Sequence, residues 1–504
     1  MRYVTTTGDL ELGTAAPGVA RRPLLAIAAA VTAVLIATSA RYGYHRDELY
    51  FLVAGRHPDW GYPDQPPLTP LIAGLMDRLV PGSLVVLRLP SALAGGGIAL
   101  VTGLLARELG GGRRAQVLAA VFAAVSAVTL VTGHFVSTTT YDVLLSALLA
   151  WLVARAVRTG EDWLLVPAGL VLGIGLLNKT LIGVFAGALV VALLLVGPRR
   201  VLRGGWVWVG LLVALVLGVP YLVWQALNGW PQVEMTRAIA AEGDEGGRLG
   251  FLPFQLLLIG PLLVPVWVAG LVRLLRSPAA RDFRFLGVAY LLLAGVYLVV
   301  GGKAYYLAGA YPALLASGAV AVDGWLSRGE KARRRLVATA VALTAVVAAV
   351  VGLAVLPQRA LAPVLAVNPD AGEQVGWPAF TDTVAGVWNG LSGADRDRGL
   401  ILTANYGEAG AIFRYGPERG LPPAYSGHNG FGLWAVPTAK AGPIVLVGYA
   451  NLQRRDALFR NCQQRATIDN GLGLDTEEQG VPVWVCAEPA RSWFDIWPQV
   501  RHLG

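Results

Sequence analysis

Long apolar stretches alternate with short polar connections from about residue 23 to residue 356. Apolar runs of roughly 17 to 25 residues can cross a hydrocarbon core about 30 Å thick as a helix. The pattern predicts eleven such spans, at 23–40, 84–106, 115–133, 141–157, 163–177, 180–197, 206–227, 251–272, 285–301, 304–322 and 336–356. The predicted fold class is therefore mainly α, a polytopic membrane protein.

The pattern changes after residue 356, where no apolar run is long enough to cross a membrane. Short β-like runs alternate there with helix-like runs, at 399–405, 408–415, 443–449, 452–461 and 481–486. Such alternation predicts a small α/β domain. The expected organisation has three parts. A cytoplasmic tail covers residues 1–22, a transmembrane domain with a polar first outer loop (41–83) covers 23–356, and a soluble domain covers 357–504.

Composition supports a membrane environment. Hydrophobic residues make up 55% of the chain, charged residues only 14%, and mean hydropathy is +0.56. Soluble proteins are about 25% charged, so this chain has too few charges to cover itself with a hydrated surface, and a lipid bilayer must surround most of it. The net charge of +9 predicts no nucleic-acid partner, because the arginines lie in the connections between spans, where cytoplasmic loops hold them.

Arginines are concentrated in every second connection, as at 107–114, 199–203 and 328–335. The positive-inside rule makes these connections and the N-terminus cytoplasmic. An odd number of spans then places the C-terminal domain outside the cytoplasm. Cys462 and Cys486, the only cysteines of the chain, lie in that domain. An oxidising compartment would permit a disulfide between them, and two free buried cysteines are the alternative.

The first outer connection, 41–83, is unusually polar for this chain. It holds the adjacent acids Asp47-Glu48 and a second motif, Asp64-Gln65-Pro66-Pro67-Leu68, with aromatic residues between them. Acids beside hydrocarbon are costly and are usually functional. An interfacial amphipathic helix anchored by tyrosine and tryptophan is the other interpretation of this loop.

Further polar residues mark the outer ends of later spans: Asp142, Lys179, Lys303, Tyr305 and Tyr306. A lone lysine at a helix end can simply extend its ammonium to the interface. Acids and cations gathered at one membrane face instead predict a site. The acids could deprotonate a nucleophile or hold a metal, and the lysines could offset the charge of a phosphate leaving group.

Three motifs in this order resemble a known enzyme family. Asp47-Glu48, the Asp64–Leu68 stretch and Gly302-Lys303-Ala304-Tyr305-Tyr306-Leu307 are similar to the bacterial protein-mannosyltransferase-like enzymes of glycosyltransferase family 39. That GT-C group includes the aminoarabinose lipid A transferases. The resemblance covers about 40–320. Two C-terminal stretches, 405–411 and 426–430, resemble an actinobacterial-type branch of the family.

The resemblance implies an inverting glycosyltransferase at the outer face of the cell membrane. Its donor would be a hexose or pentose on decaprenyl or undecaprenyl monophosphate, and its acceptor a glycan, lipid or protein. Asp47 would be the base, with Glu48 orienting it or the acceptor, and Lys303 would hold the donor phosphate. Asp142 resembles the acid of the second outer loop. Gln65 stands where relatives carry a lysine, so no phosphate contact is carried over to it.

The candidates divide into four groups. The catalytic candidates are Asp47 and Glu48. The donor-phosphate candidates are Lys303, Lys179, Tyr305 and Tyr306. The substrate or acceptor candidates are Asp64, Gln65, Asp142, His45 and Tyr62. The outer-domain candidates are Asn405, Tyr406, Glu408, His428 and Asn429. These motifs settle no cofactor. Mg or Mn bound by Asp47, Glu48 and Asp142 is an open alternative, whereas no His/Cys cluster has zinc-like spacing.

Two other functions fit parts of the pattern. A transporter or flippase would use the intramembrane charges as a pathway for a lipid or polar solute. A sensor would bind a ligand through 405–411 of the outer domain. No internal repeat is present, and the acids cluster at one face, which favours the transferase. Trp434, Trp493 and Trp497 leave a carbohydrate-binding role open for the outer domain, with core packing as the alternative.

Overall fold

The computed structural model describes residues 17–242, 247–329, 331–438 and 442–503. Residues 1–16, most of the predicted cytoplasmic tail, lie outside the described residues. The helices of the first part of the chain are α1 (Arg21–Thr38), α2 (Arg46–Ala54), α3 (Leu68–Leu79), α4 (Leu84–Glu108), α5 (Arg113–Ala124), α6 (Ala127–His134), α7 (Thr138–Thr159), α8 (Leu165–Leu176), α9 (Leu181–Val196), α10 (Gly205–Leu227), α11 (Pro231–Glu242), α12 (Gly247–Ile259), α13 (Val264–Arg276), α14 (Arg284–Val300), α15 (Tyr311–Ser327) and α16 (Lys331–Gly352).

The multi-pass class is confirmed, since seven helices within the described ranges are long and apolar enough to cross a membrane. The number rises to nine if each of two bent helix pairs is one span. The helices α8 and α9, where the pattern predicts the fifth and sixth spans, are shorter apolar helices. The number of eleven spans therefore stays a prediction.

Two of the predicted spans are broken. The helices α5 and α6 meet at 54°, and the pair Arg248–Ile259 and Pro261–Arg276 meets at 87°. Gly260 has a φ of 103°, which L side chains rarely adopt, and Pro261 supplies no backbone N–H to continue the helix. Hydropathy stays high across the break, so the apolar pattern alone could not reveal it.

The C-terminal domain, called the outer domain after its predicted location, combines helices with a five-stranded sheet. Its helices are α17 (Ala362–Leu365), α18 (Trp377–Asn389), α19 (Gly393–Arg398), α20 (Tyr406–Tyr415), α21 (Phe431–Trp434), α22 (Leu452–Leu458) and α23 (Trp493–Val500). Its strands are β1 (Leu400–Thr403), β2 (Ala424–Ser426), β3 (Ile444–Val447), β4 (Phe459–Arg460), β5 (Gln463–Thr467), β6 (Pro482–Cys486) and β7 (Glu488–Pro489).

The sheet order is β2-β1-β3-β6-β5, with β1 parallel to β2 and β3, and with β6 antiparallel to β3 and β5. The three β-like runs of the sequence contain β1, β3 and β6. The helix expected over 452–461 ends at Leu458, because the next two residues pair with β7 as β4. The structure joins Cys462 and Cys486 in a disulfide next to this pair.

Both faces of the sheet are covered, so strands β1 and β3 are buried at every position. Leu402 and Leu446 face a core that contains Trp493 and Trp497 of α23. Those two tryptophans are therefore packing residues and not an exposed binding surface. Trp434 is half-buried and stacks on His57, with ring centroids 4.9 Å apart.

The opposite face of the sheet shares one core with the first outer loop. Leu49 and Phe51 of α2 belong to the same buried cluster as Trp377 and Ile401 of the outer domain. At Gly410 in α20 an added Cβ would lie 2.9 Å from the backbone carbon of Leu49. The small residue thus lets α20 lie directly on α2, and the outer domain docks on the loop that carries the acidic pair.

Candidate functional site

The acidic pair lies in the first turn of α2, where the helix dipole favours negative charge. His45 is the N-cap residue, and the sequence forms a capping box with Glu48 as its reciprocal partner. His45 Nδ1 accepts the backbone N–H of Asp47 at 3.1 Å, so the ring carries its proton on Nε2. The local sequence therefore fixes the start of α2 and the direction of the Glu48 carboxyl group.

Glu48 is fully buried and engaged on all sides. Arg88 of α4 donates to both of its oxygens at 2.8 and 2.7 Å. The backbone N–H groups of His45 and Val136 donate at 2.8 and 2.9 Å. Arg88 also donates to the backbone carbonyl of Gly43. The carboxylate of Glu48 thus anchors the start of α2.

Asp47 lines a cavity of about 420 Å³ between the helices and the outer domain. The polar lining includes His45, Arg46, Asp47, Thr132, Ser137, Thr139, Lys303, Tyr305, Asn368, Asp370, Glu373 and Tyr406. The apolar lining comes mainly from α6, α12 and α16, with Val128, Val131, Phe254, Leu257, Leu258 and Val351. The cavity is therefore lined both by charged and polar groups and by an apolar wall of side chains from the membrane helices.

The carboxylate of Asp47 is held by the outer domain. The Tyr406 hydroxyl donates to Asp47 Oδ1 at 2.8 Å and accepts from Arg46 Nε at 3.1 Å. Arg46 also pairs with Glu477 and lies 3.5 Å from Glu373. Among the described residues, no donor is bonded to Asp47 Oδ2, so this oxygen is open to the cavity.

Two lysines mark the same region. Lys303 lines the cavity directly. Lys179 donates to Thr139 Oγ1 at 3.0 Å, and its ammonium lies 5.0 and 5.6 Å from the ring centres of Tyr305 and Tyr306. Lys179 therefore lies behind the lining residues. The two tyrosines that the sequence predicts as phosphate-site candidates, Tyr305 and Tyr306, lie next to its ammonium group.

Asp142 is buried in α7, and its Oδ1 has no hydrogen-bond partner among the described residues. Asp142 lies close enough to Lys179 for an electrostatic interaction. It is not among the residues that line the cavity.

Asp64 lies behind α2. The Tyr50 hydroxyl donates to Asp64 Oδ1 at 2.6 Å and accepts the N–H of Gly430 at 3.1 Å. Burial, with a further contribution from Asp47, raises the pKa of the Asp64 carboxyl to about 7. Asp64 is not among the residues that line the cavity.

The raised pKa of Asp64 predicts a pH dependence of stability. The folded state binds this proton more tightly than the unfolded chain, so the contribution is full below the ordinary pKa of 3.8 and is lost as the pH rises through about 7. Between about pH 5 and about pH 8, we expect the Tm of the wild type to fall by about 2–4 °C more than that of Asp64→Asn. An equal pH dependence of the two purified proteins in detergent would contradict this.

Four further candidates make hydrogen bonds with nearby backbone groups: Tyr62, Gln65, Asn405 and Glu408. The Tyr62 hydroxyl lies 2.9 Å from the carbonyl oxygen of Ala54, and the Gln65 carbonyl accepts the Tyr62 N–H. In the outer domain, Asn405 and Glu408 form the capping box of α20. Neither pair lines the cavity.

His428 and Asn429 lie behind Tyr406. The His428 ring centre is 4.7 Å from that of Tyr406, and both His428 and Asn429 are buried. Asn429 adopts a positive φ of 49°. His428 thus packs against the Tyr406 ring, and neither His428 nor Asn429 is among the residues that line the cavity.

The described residues do not form a metal site. No group of three or more His, Cys, Asp or Glu side chains within the described ranges is arranged to hold a metal ion. Of the three acids considered for Mg or Mn, the Glu48 oxygens are occupied by Arg88 and backbone donors, and Asp142 is buried and does not line the cavity. Asp47 alone is open, which does not fit a metal-binding set.

Sequence reasoning missed Arg46 and Arg88. Arg88 lies in a stretch that the apolar pattern predicts to span the membrane, and an ionisable residue there is a signal of function or pairing. Arg46 stands next to Asp47 in sequence. What the sequence could not show is that Tyr406, 359 residues further on, lies against both Arg46 and Asp47.

Comparison with known structures gives the same architecture. The crystal structure of ArnT from Cupriavidus metallidurans bound to undecaprenyl phosphate matches with a TM-score of 0.58 and 17% identity, over 92% of this chain and 98% of that one. Its apo form matches at 0.55, with 17% identity over 92% and 97%. An oligosaccharyltransferase from Archaeoglobus fulgidus, tethered with an acceptor peptide, scores 0.45, with 14% identity over 80% and 63%.

The two ArnT matches show the fold: a multi-pass membrane protein with the architecture of a GT-C glycosyltransferase. The model of the family described as dolichyl-phosphate-mannose-protein mannosyltransferase matches residues 64–224, from Asp64 to α10. The resemblance to glycosyltransferase family 39 is thereby confirmed. No curated protein sequence matches the chain.

Proposed function

We propose that this chain transfers a sugar from a polyprenyl monophosphate to an acceptor hydroxyl at the outer face of the cytoplasmic membrane. One observation carries the proposal: Asp47, Lys303 and an apolar wall line the same cavity. A polyprenyl phosphate needs apolar surface for its chain and a cation for its head group. Its sugar then lies between the two, at the carboxylate.

The reaction is a single displacement. Asp47 Oδ2 takes the proton of the acceptor hydroxyl while the oxygen of that hydroxyl attacks the anomeric carbon. The bond from that carbon to the phosphate oxygen breaks, and the leaving polyprenyl phosphate keeps the electron pair. Lys303 stabilises the added negative charge in the transition state, with Lys179 contributing from behind Tyr305. Attack opposite the leaving group inverts the configuration.

The test is transfer by the purified full-length protein in nanodiscs. A panel of synthetic decaprenyl and undecaprenyl phosphate hexoses and pentoses is offered together with a membrane extract as the acceptor pool. We expect one donor to release polyprenyl monophosphate, detected by mass spectrometry, together with a glycosylated product. If the protein, reconstituted in vesicles, instead moves an intact lipid-linked sugar from one leaflet to the other with no bond broken, the flippase alternative is established.

Lys303→Ala is expected to raise the KM for the donor and to lower kcat/KM about 100-fold. The reason is that an ammonium group that binds the donor phosphate is lost in both the ground state and the transition state. Lys331→Ala, at the start of α16 and exposed, is the matched control and keeps wild-type kinetics. Wild-type donor use by Lys303→Ala would remove the phosphate role.

A further inference from the structure

Tyr406 follows directly on the carboxyl end of β1. Strand β1 lies between β2 and β3 and is parallel to both, so the chain reverses its winding at this point. Open α/β sheets bind ligands in the crevice outside such strand ends. In this protein that strand end lies close to α2, because α20, which begins at Tyr406, packs on α2.

The ring of Tyr406 is held on both sides. The Arg46 guanidinium carbon lies 4.7 Å from its ring centre, and the Tyr50 ring centre lies 5.0 Å away. The close approach of Gly410 to Leu49 fixes α20 one turn further along. The phenol therefore has one position relative to Asp47.

The donors and acceptors around the phenol fix the direction of its proton. An arginine side chain has only donors, so the bond between Arg46 Nε and the Tyr406 oxygen places the proton of that bond on Arg46. The single phenolic proton is then left for Asp47 Oδ1. Burial, together with the charge of Asp47, raises the pKa of the Tyr406 phenol, so this proton stays in place at neutral pH.

We propose that Tyr406 is a positioning residue for Asp47, so that the docked outer domain completes the transferase site. By occupying Oδ1, the phenol holds the carboxylate in one rotamer and leaves Oδ2 to accept the proton of the acceptor. Arg46, held by Glu373 and Glu477, orients the phenol in turn. This inference rests on the proposed function, because it assigns Tyr406 a role in that same reaction.

The test is Tyr406→Phe in the full-length protein, with Tyr425→Phe in β2 of the same domain as the matched control. The ring and its packing remain, and only the hydroxyl is lost. We expect kcat to fall about 10- to 100-fold, since small misplacement of a reacting group has effects of this size. Binding of undecaprenyl phosphate should stay at the wild-type Kd, and the control should keep wild-type kcat.

The outcomes separate the inference from the proposed function. If wild-type protein transfers no sugar from any donor, the proposed function fails. If the wild type is active and Tyr406→Phe keeps its kcat, or loses only donor binding, the positioning role alone is overturned. Should Tyr406→Phe fail to fold, Arg46→Lys keeps the charge and removes the guanidinium Nε–H that orients the phenol. Arg46→Lys must then show the same loss of kcat at unchanged Kd, and wild-type kcat would overturn the inference.

Discussion

Asp47→Asn is expected to lower kcat for sugar transfer about 1,000-fold or more. Asparagine keeps the shape of the side chain and can still accept the Tyr406 proton, but its amide cannot take the proton of the acceptor hydroxyl. Removal of a general base typically lowers rates by about 10²–10⁴. The fold should be unaffected, because Asp47 is half-buried and lies on the cavity side of α2.

The measurement is a transfer assay on purified variants with the donor that the wild type uses. Asp382→Asn is the matched control, since this carboxylate is exposed and pairs with Arg419 far from the cavity. Thermal unfolding of both variants checks the fold. Turnover by Asp47→Asn at the wild-type rate would show that another group is the base.

The second large effect is on stability, at the ion pair of Glu48 and Arg88. Their side chains are 0% and 1% exposed. Removing one partner of a buried pair leaves an uncompensated charge and lowers the free energy of unfolding by about 3–5 kcal/mol. Arg88→Met should show this loss in full and should also release the backbone carbonyl of Gly43.

A double variant separates the charge from the packing. Glu48→Gln combined with Arg88→Met should be less destabilised than the sum of the two single variants, because no unpaired charge remains. Arg419→Met removes an exposed pair and should lower the free energy of unfolding by at most about 1 kcal/mol. Thermal unfolding in one detergent compares all four. Equal, small losses at the buried and exposed pairs would contradict the anchoring role of Glu48.

The adjacent acids illustrate how sequence and structure divide the information. The sequence predicts that Asp47-Glu48 is functional, because two carboxylates stand where hydrocarbon begins. It cannot tell them apart, since both occupy the first turn of one helix. Only the tertiary structure shows that Arg88 of α4 pairs with Glu48, which makes Glu48 the anchor. Asp47 is then the carboxylate that lines the cavity.

The same division holds at the outer domain. The motif at 405–411 stands out in the sequence, and an N-cap residue followed by small residues predicts a helix start. Its partner could not be predicted, because nothing in residues 405–411 encodes the distant segment on which α20 packs. In the structure, α20 begins within this stretch and packs on α2.

Local order in the chain was enough to establish the membrane class, the α/β character of the last third and the residues worth testing. Hydropathy, helix capping and motif order are properties of neighbouring residues, and the sequence states them directly. The bent spans, the anchoring of Glu48 and the contact of Tyr406 with Asp47 were decided by the three-dimensional fold. Each depends on which distant segments meet, and that is set by the packing of the whole chain.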